Sequence, residues 1–158
     1  TGFLDWLFMV FFCLFLLPSM TPVDILSLVG HPYRLGSNGP DAFDCRGLLL
    51  FCQRRSFGKT LPILPMGLAM REVYAEQVQA GHWQADAKPE HGGAVLLRGG
   101  DHPHVGLWLT CIGPGVLHAL EGVGVVWSPA ATLRLMGYSR LRFVRFHTGF
   151  DDSADKGV

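Results

Sequence analysis

The chain has 158 residues, the length of one compact domain with a single hydrophobic core. Its 13 basic and 13 acidic residues cancel and neither sign forms a run that would follow a phosphate backbone, so nucleic acid is not an expected partner. The four cysteines include no C-x-x-C pair, so the sequence predicts no metal site, no cofactor and no dense disulfide framework.

The first segment, residues 6–17, is uninterrupted apolar sequence, WLFMVFFCLFLL. It is shorter than the roughly 20 residues that span a bilayer. Its length suits a signal peptide, but no basic residue precedes it and no A-x-A pattern follows. Met20 opens MTPVDIL, which is typical of a natural start. Residues 1–19 are therefore an apolar extension, and a leader, a membrane anchor and a non-native upstream segment stay open.

Three helices are predicted before any strand. Residues 22–29 have an early proline and end at a glycine, which favours a short helix. Residues 36–44, GSNGPDAFD, form a loop, and a helix begins at Cys45 and ends at Gly58. A third helix covers about residues 68–80, and the polar segment up to residue 93 is a loop.

The second half of the chain has the short apolar segments that are typical of strands. The predicted strands are 94–98, 104–111, 115–120 and 122–127, followed by a short helix over 129–136 and an edge strand over 139–147. The tail, residues 151–158, is predicted to be disordered. Helices followed by an antiparallel sheet indicate an α+β domain over residues 20–150, in which the Cys45 helix packs on one sheet face.

Cys45 is the candidate nucleophile, because a cysteine at a helix N-terminus beside a histidine has a lowered pKa and attacks as its thiolate. His104 begins the strand HVGLWL and shares a face with Gly106 and Trp108. We expect this face to meet the helix tip, with Gly106 leaving room for backbone or substrate. A third polar group normally orients the base, and His118 on the next predicted strand is within reach.

Three further histidine and cysteine residues bear on this assignment. His102 alternates onto the same face as His104 and is an alternative base, although it lies in a loop before a proline. Cys52 and Cys111 fall on apolar faces and are expected to be inert core thiols.

The run PYRLGSNGPDAFDCRGLL resembles the nucleophile motif of the NlpC-type peptidoglycan cysteine peptidases. HVGLWL and GVLHALEGVGV are similar to that family's base strand and to the strand with its third polar residue, in the family's order. The similarity covers roughly residues 22–147 and implies a papain-like fold. GPDAFDC, FGKTLP and GYSRLRFVRF are more similar to the branch found in bacteriophage tails than to the secreted enzymes.

The resemblance assigns roles to four residues. It implies that Cys45 is the nucleophile, His104 the base and His118 the orienting residue. Tyr33 matches the family's tyrosine over the site and would help to hold the oxyanion or the substrate.

Two further positions are expected to be structural. Asp44 would bond the loop backbone before the helix, and Gly47 would allow the helix to pack closely onto the sheet. Arg46 and Gly93 depart from the family's pattern, and we expect them to alter substrate contacts rather than the catalytic set.

The implied function is hydrolysis of amide bonds in peptidoglycan stem peptides, at a γ-D-glutamyl to diamino-acid bond. The implied partners are the stem peptide and, for the tail branch, tail tip proteins, and the implied location is a phage virion tail or the bacterial envelope. One alternative is a structural tail tip protein with a weak or vestigial peptidase site. A second is a membrane-attached papain-like acyltransferase, for which residues 6–17 are the only support.

Overall fold

The structure, a computed structural model, describes residues 19–65, 67–99 and 104–147. Its helices are α1 (Pro22–Leu28), α2 (Cys45–Phe57) and α3 (Leu68–Gln79). The strands are β1 (Trp83–Gln84), β2 (Ala94–Arg98), β3 (His104–Leu109), β4 (Gly115–Leu120), β5 (Gly124–Pro129) and β6 (Arg140–Phe146), with a 3₁₀ turn at Ala130–Thr132. The predicted α+β architecture, with helices before the sheet, is confirmed.

The strands form one antiparallel sheet in the order β1-β6-β2-β3-β4-β5. β6 pairs with β2 on one side and with β1 on the other, so the prediction that residues 139–147 form an edge strand was wrong. The edge strand β1 lies in the segment predicted as loop. Two residues are too few to show an alternating pattern, and Trp83 is held there by pairing with Phe146.

Two other predicted boundaries differ from the structure. The strand predicted over 122–127 is β5, which begins at Gly124 because the preceding residues form the turn from β4. The helix predicted over 129–136 is reduced to the 3₁₀ turn at Ala130–Thr132. Residues 133–137, which follow the 3₁₀ turn, form turns.

The sheet has two apolar faces, and α2 covers only one of them. Leu48, Leu49 and Cys52 of α2 share a core cluster with Leu107 and Leu117 of the sheet. The opposite face carries a second cluster, whose buried members are Val95, Leu97, Trp108, Val116 and Leu133. Because side chains alternate along a strand, neighbouring residues of β3 point to different clusters.

Met20, the first residue of the predicted domain, belongs to the core. Met20 is 2% exposed, and its carbonyl oxygen lies 3.1 Å from Nε2 of His91. The predictions for residues 1–18, for His102 and for the tail lie outside the described residues. No helix within the described ranges has the length and apolar character needed to cross a membrane.

Candidate active site

Cys45 is the first residue of α2, and the preceding residue, Asp44, caps the helix. Asp44 is buried, and its Oδ1 accepts a hydrogen bond of 2.7 Å from the Gly47 main-chain N–H. Its Oδ2 accepts from the Gly36 N–H at 2.8 Å and is 3.2 Å from Nη2 of Arg46. The carboxylate therefore joins the preceding loop to the helix N-terminus and holds the position from which Cys45 projects.

Gly47 lets α2 approach that same loop. A Cβ built on Gly47 would overlap the main chain of Ser37 and Asn38. The expected close packing of Gly47 was against the sheet, and the structure instead places the tight contact at the loop. The glycine is required because the loop that carries the residues before Cys45 runs directly across the first turn of the helix.

Three side chains on adjacent strands form a hydrogen-bonded chain. Nε2 of His104 on β3 lies 2.7 Å from Nδ1 of His118 on β4, and Nε2 of His118 lies 2.8 Å from Oγ of Ser128 on β5. His118 is fully buried and Ser128 is 4% exposed. His118 thus bonds His104 through one ring nitrogen and Ser128 through the other, which fixes its orientation.

The two histidines lie on the sheet face opposite to α2. His104 pairs with Leu97, a member of the second cluster, and alternation places Gly106 and Trp108 on that face as well. The body of α2 therefore packs on the other face, and the expected meeting of the His104 face with the tip of α2 stays a prediction. The link is made at the end of the strand, where the main chain of Val105 lies against the Cys45 sulfur.

The sulfur of Cys45 thus lies beside the residue that follows His104. Cys45 is partly exposed. Among the described residues, its thiol forms no side-chain hydrogen bond with His104 or His118, and such contacts often tighten only when substrate binds.

Tyr138, in the connection before β6, completes the surroundings of His104 and was not found from the sequence. Its ring stacks on the His104 ring with centroids 5.7 Å apart and planes at 14°, and it meets His118 edge-on at 6.2 Å. Burial and then the nearby Cys45 raise the pKa of the Tyr138 hydroxyl. The same two causes, in the same order, raise the pKa of Tyr33. Both tyrosines therefore lie near the sulfur.

Gly106 makes room within the sheet. A Cβ at this position would overlap Cγ1 of Val116 and would lie 3.2 Å from Cβ of His118. The space predicted to be left for backbone or substrate is occupied by these two side chains of β4. The absence of a side chain at 106 therefore lets His118 lie close to β3.

Burial keeps the site uncharged at rest. It lowers the pKa of His104 to about 4, and burial followed by the charge of His104 lowers the pKa of His118 to about 3. Burial also raises the pKa of the Cys45 thiol, more than the Val105 main chain lowers it. The direction is opposite to the lowered thiol pKa expected from the helix N-terminus, because the thiol is desolvated and neither imidazole is charged at neutral pH.

The remaining cysteines separate into two environments. Cys52 is fully buried, and burial raises its pKa to about 12, as expected for an inert core thiol. Cys111 is exposed, so its prediction as a core thiol was wrong. It lies two residues beyond Leu109, the last residue of β3. Within the described ranges, no group of three or more His, Cys, Asp or Glu side chains is arranged to hold a metal ion.

Comparison with known proteins identifies the fold. The sequence matches no protein-family model and no curated protein. The structure is similar to the crystal structure of the NlpC/p60 domain of the peptidoglycan hydrolase SagA, with a TM-score of 0.51 and 17% sequence identity over 79% of this chain and 94% of that chain. At this identity the likeness shows the fold alone. It confirms the NlpC-type α+β fold predicted from the sequence.

Proposed function

We propose that the chain is a cysteine peptidase that hydrolyses amide bonds in peptidoglycan stem peptides. Cys45 is the nucleophile, His104 the base and His118 the residue that orients the base. The observation that carries the proposal is the 2.7 Å bond between the two imidazoles, at a strand end whose next residue, Val105, contacts the Cys45 sulfur. The fold shared with a domain of a peptidoglycan hydrolase supports the choice of substrate.

The reaction begins when the Cys45 sulfur attacks the carbonyl carbon of the scissile amide and its proton passes to Nδ1 of His104. Nε2 is engaged with His118, so Nδ1 is the nitrogen left for this transfer. The oxyanion forms at the N-terminus of α2, where main-chain N–H groups and the Tyr33 hydroxyl are the available donors. His104 then protonates the leaving amine, and a thioester remains on Cys45.

Hydrolysis of the thioester returns the enzyme to its resting state. His104 takes a proton from water, the resulting hydroxide attacks the thioester carbon, and the carbon–sulfur bond breaks. The acyl group leaves as a carboxylic acid, and the proton on His104 returns to the sulfur. Asp44, Gly47 and Gly106 act in this scheme only by holding the helix tip and His118 in place.

The finer assignment to the phage tail branch is also a proposal. Its support is the sequence similarity of GPDAFDC, FGKTLP and GYSRLRFVRF, and tail tip proteins would then be partners. No described contact favours a purely structural tail protein or a membrane-attached acyltransferase over the peptidase. The segment on which the acyltransferase depends, residues 6–17, lies outside the described residues.

The test is mass spectrometry of defined stem peptides incubated with the wild-type chain, with Cys45→Ala and with Cys111→Ala. Cys111 is a free, exposed cysteine, so its variant is a matched control. We expect the wild type and Cys111→Ala to release the same fragments and Cys45→Ala to release none. Undiminished cleavage by Cys45→Ala would refute the nucleophile, and an inactive wild type would refute the peptidase.

A further inference from the structure

Ser128 ends the hydrogen-bonded chain that starts at His104. A neutral imidazole has one protonated nitrogen and one bare nitrogen. Two neutral rings joined to each other and to a hydroxyl therefore allow only two proton orders. In the first, each Nε2 carries the proton, and Ser128 accepts from His118. In the second, each Nδ1 carries the proton, and Ser128 donates to His118.

We infer that Ser128 is a positioning residue that accepts the His118 Nε2–H and thereby leaves Nδ1 of His104 bare. The inference rests on the proposed function, because only a bare Nδ1 can take the proton of the Cys45 thiol. The reverse order puts a proton on that nitrogen and leaves the thiol without a base. Ser128 is buried and 2.8 Å from His118, so water does not replace it readily.

The first of these two proton orders is also the one that the reaction requires when His104 is positively charged. When His104 takes the thiol proton, both of its nitrogens carry protons, and Nε2–H must donate to a bare Nδ1 on His118. His118 then keeps its proton on Nε2, where the Ser128 oxygen accepts it. One proton order therefore serves both the resting and the charged state, and no ring has to exchange its proton during the reaction.

The experiment reads the ring protons directly, by two-bond ¹H–¹⁵N NMR of the protein with ¹⁵N-labelled histidine at pH 7. We expect Nε2–H on both rings in the wild type and in Ser128→Thr, which keeps the hydroxyl. In Ser128→Ala we expect the Nδ1–H form of His118 to appear. We also expect kcat to fall about tenfold to a hundredfold with KM unchanged, as for a buried donor left without its partner.

The outcomes separate this inference from the proposed function. Nδ1–H on both rings of a wild-type chain that cleaves stem peptides overturns the role of Ser128 and leaves the peptidase standing. Nε2–H on both rings of a chain that cleaves nothing refutes the peptidase and leaves the proton order standing. Ser128→Ala with unchanged ring signals and unchanged kcat overturns the positioning role.

A second, independent observation concerns two arginines at the end of the sheet. Arg98 of β2 and Arg140 of β6 are directly opposite each other and both are exposed. Like charges in this arrangement destabilise a sheet. The two other arginines of β6 bond to carboxylates at 2.8 and 2.7 Å, whereas no carboxylate of the described residues pairs with Arg98 or Arg140. Within the part of the chain that the structure describes, the two positive charges of the pair are therefore not neutralised.

The pair lies on the sheet face that carries Cys45. Leu96 is opposite Val105, whose main chain contacts the sulfur, and Arg98 is two residues further along the same face. Along the strand, the main chain of Arg98 is therefore about 7 Å from that of Leu96. A cavity of about 400 Å³ is lined there by Arg98, Arg140, Leu141 and Arg142.

We propose that Arg98 and Arg140 bind a carboxylate of the peptide substrate. The proposal deepens the proposed function, since a γ-linked glutamate keeps its α-carboxylate free next to the scissile bond. Guanidinium groups bind carboxylates through paired hydrogen bonds, and two of them opposite each other offer donors from both sides. The bound anion would also remove the repulsion between the two arginines.

The test compares two stem peptides that differ only in this group, one with the free α-carboxylate and one with its carboxamide. Binding is measured by calorimetry in a Cys45→Ala background, which reads affinity without cleavage. We expect the carboxylate peptide to bind about tenfold more tightly, as for one charge-assisted hydrogen bond, and Arg98→Gln or Arg140→Gln to abolish this preference. Arg134→Gln, at an exposed arginine in the β5–β6 connection, is the matched control.

Two results would overturn the carboxylate site. One is a preference for the carboxylate peptide that survives both Arg98→Gln and Arg140→Gln, and the other is an equal affinity of the Cys45→Ala chain for the two peptides. The proposed function is tested separately, because these affinities are read without hydrolysis. A chain that discriminates the peptides in binding but whose wild type cleaves neither supports the site and refutes the peptidase.

Discussion

Replacement of His118 by asparagine tests whether this ring is neutral in the folded chain. Burial lowers the pKa of His118 to about 3, whereas an unfolded histidine has a pKa of about 6.5. Below pH 6.5 the unfolded chain therefore binds a proton that the folded chain does not. Because the folded pKa is depressed, the stability contributed by the neutral ring is complete above pH 6.5 and is lost as the pH falls toward 3.

The size of the effect follows from the two pKa values. Each pH unit in this window costs about 1.4 kcal/mol for each ring that stays neutral on folding. Between pH 7 and pH 5, His118 alone should lower the free energy of unfolding by about 2 kcal/mol. Asparagine does not titrate and can still accept a hydrogen bond from His104 and donate one to Ser128. The His118→Asn variant should therefore lack this part of the pH dependence of the free energy of unfolding.

The assay is urea unfolding of the wild type and of His118→Asn at pH 7 and pH 5. We expect the wild type to lose about 2 kcal/mol more than the variant over this interval. His147→Asn, at an exposed histidine after β6, is the control and should follow the wild type. An equal pH dependence of wild type and His118→Asn would mean that the folded ring is already protonated at pH 5, and the neutral hydrogen-bonded chain would be refuted.

Four further substitutions and one labelling experiment test the rest of the site. Gly47→Ala should destabilise the fold by about 2 kcal/mol or more in urea unfolding, because the new Cβ meets a main-chain oxygen of the loop. Gly106→Ala should lower kcat more than its loss of stability explains, because the new Cβ would overlap Cγ1 of Val116 and would press on Cβ of His118 at 3.2 Å; an unchanged kcat would contradict this. Tyr138→Phe should keep the stacking on the base and most of kcat, whereas Tyr138→Ala should lose both, as steady-state kinetics will show. With a thiol reagent at pH 7 and peptide mapping, Cys111 should react before Cys45; the reverse order would indicate a preformed thiolate.

The elements of the fold were predictable where local sequence determines them. The start of α2 is marked by Asp44, whose side chain caps it, and its end by Gly58, which has a φ of 62°. β2 and β4 have the predicted bounds because each is a short apolar run between glycines. The position of β6 inside the sheet was not predictable. Its alternating basic and apolar residues show which side chains share a face, but not whether one strand or two pair with it.

The same distinction between local sequence and tertiary arrangement applies to the candidate site. Cys45, His104 and His118 were named from motif order and from a family resemblance, which concern residue identity and spacing. Ser128 and Tyr138 were missed because a hydroxyl on β5 and a ring before β6 carry no local signal. Ser128 reaches His118 through the register of β5 on β4, and Tyr138 reaches both histidines because the connection from β5 to β6 passes beside them. Alternation predicted which residues share a face with His104, but not how that face lies relative to α2, because it relates residues within a strand and not a strand to a helix.

The resting charge state decides how Cys45 must react. Burial raises the pKa of the Cys45 thiol above its ordinary value and lowers the pKa of His104 to about 4, so proton transfer from the resting thiol to the resting imidazole is uphill. A free thiolate is therefore scarcely populated. We therefore expect the proton to reach His104 as the sulfur attacks, when the charge moves from sulfur to the substrate oxygen.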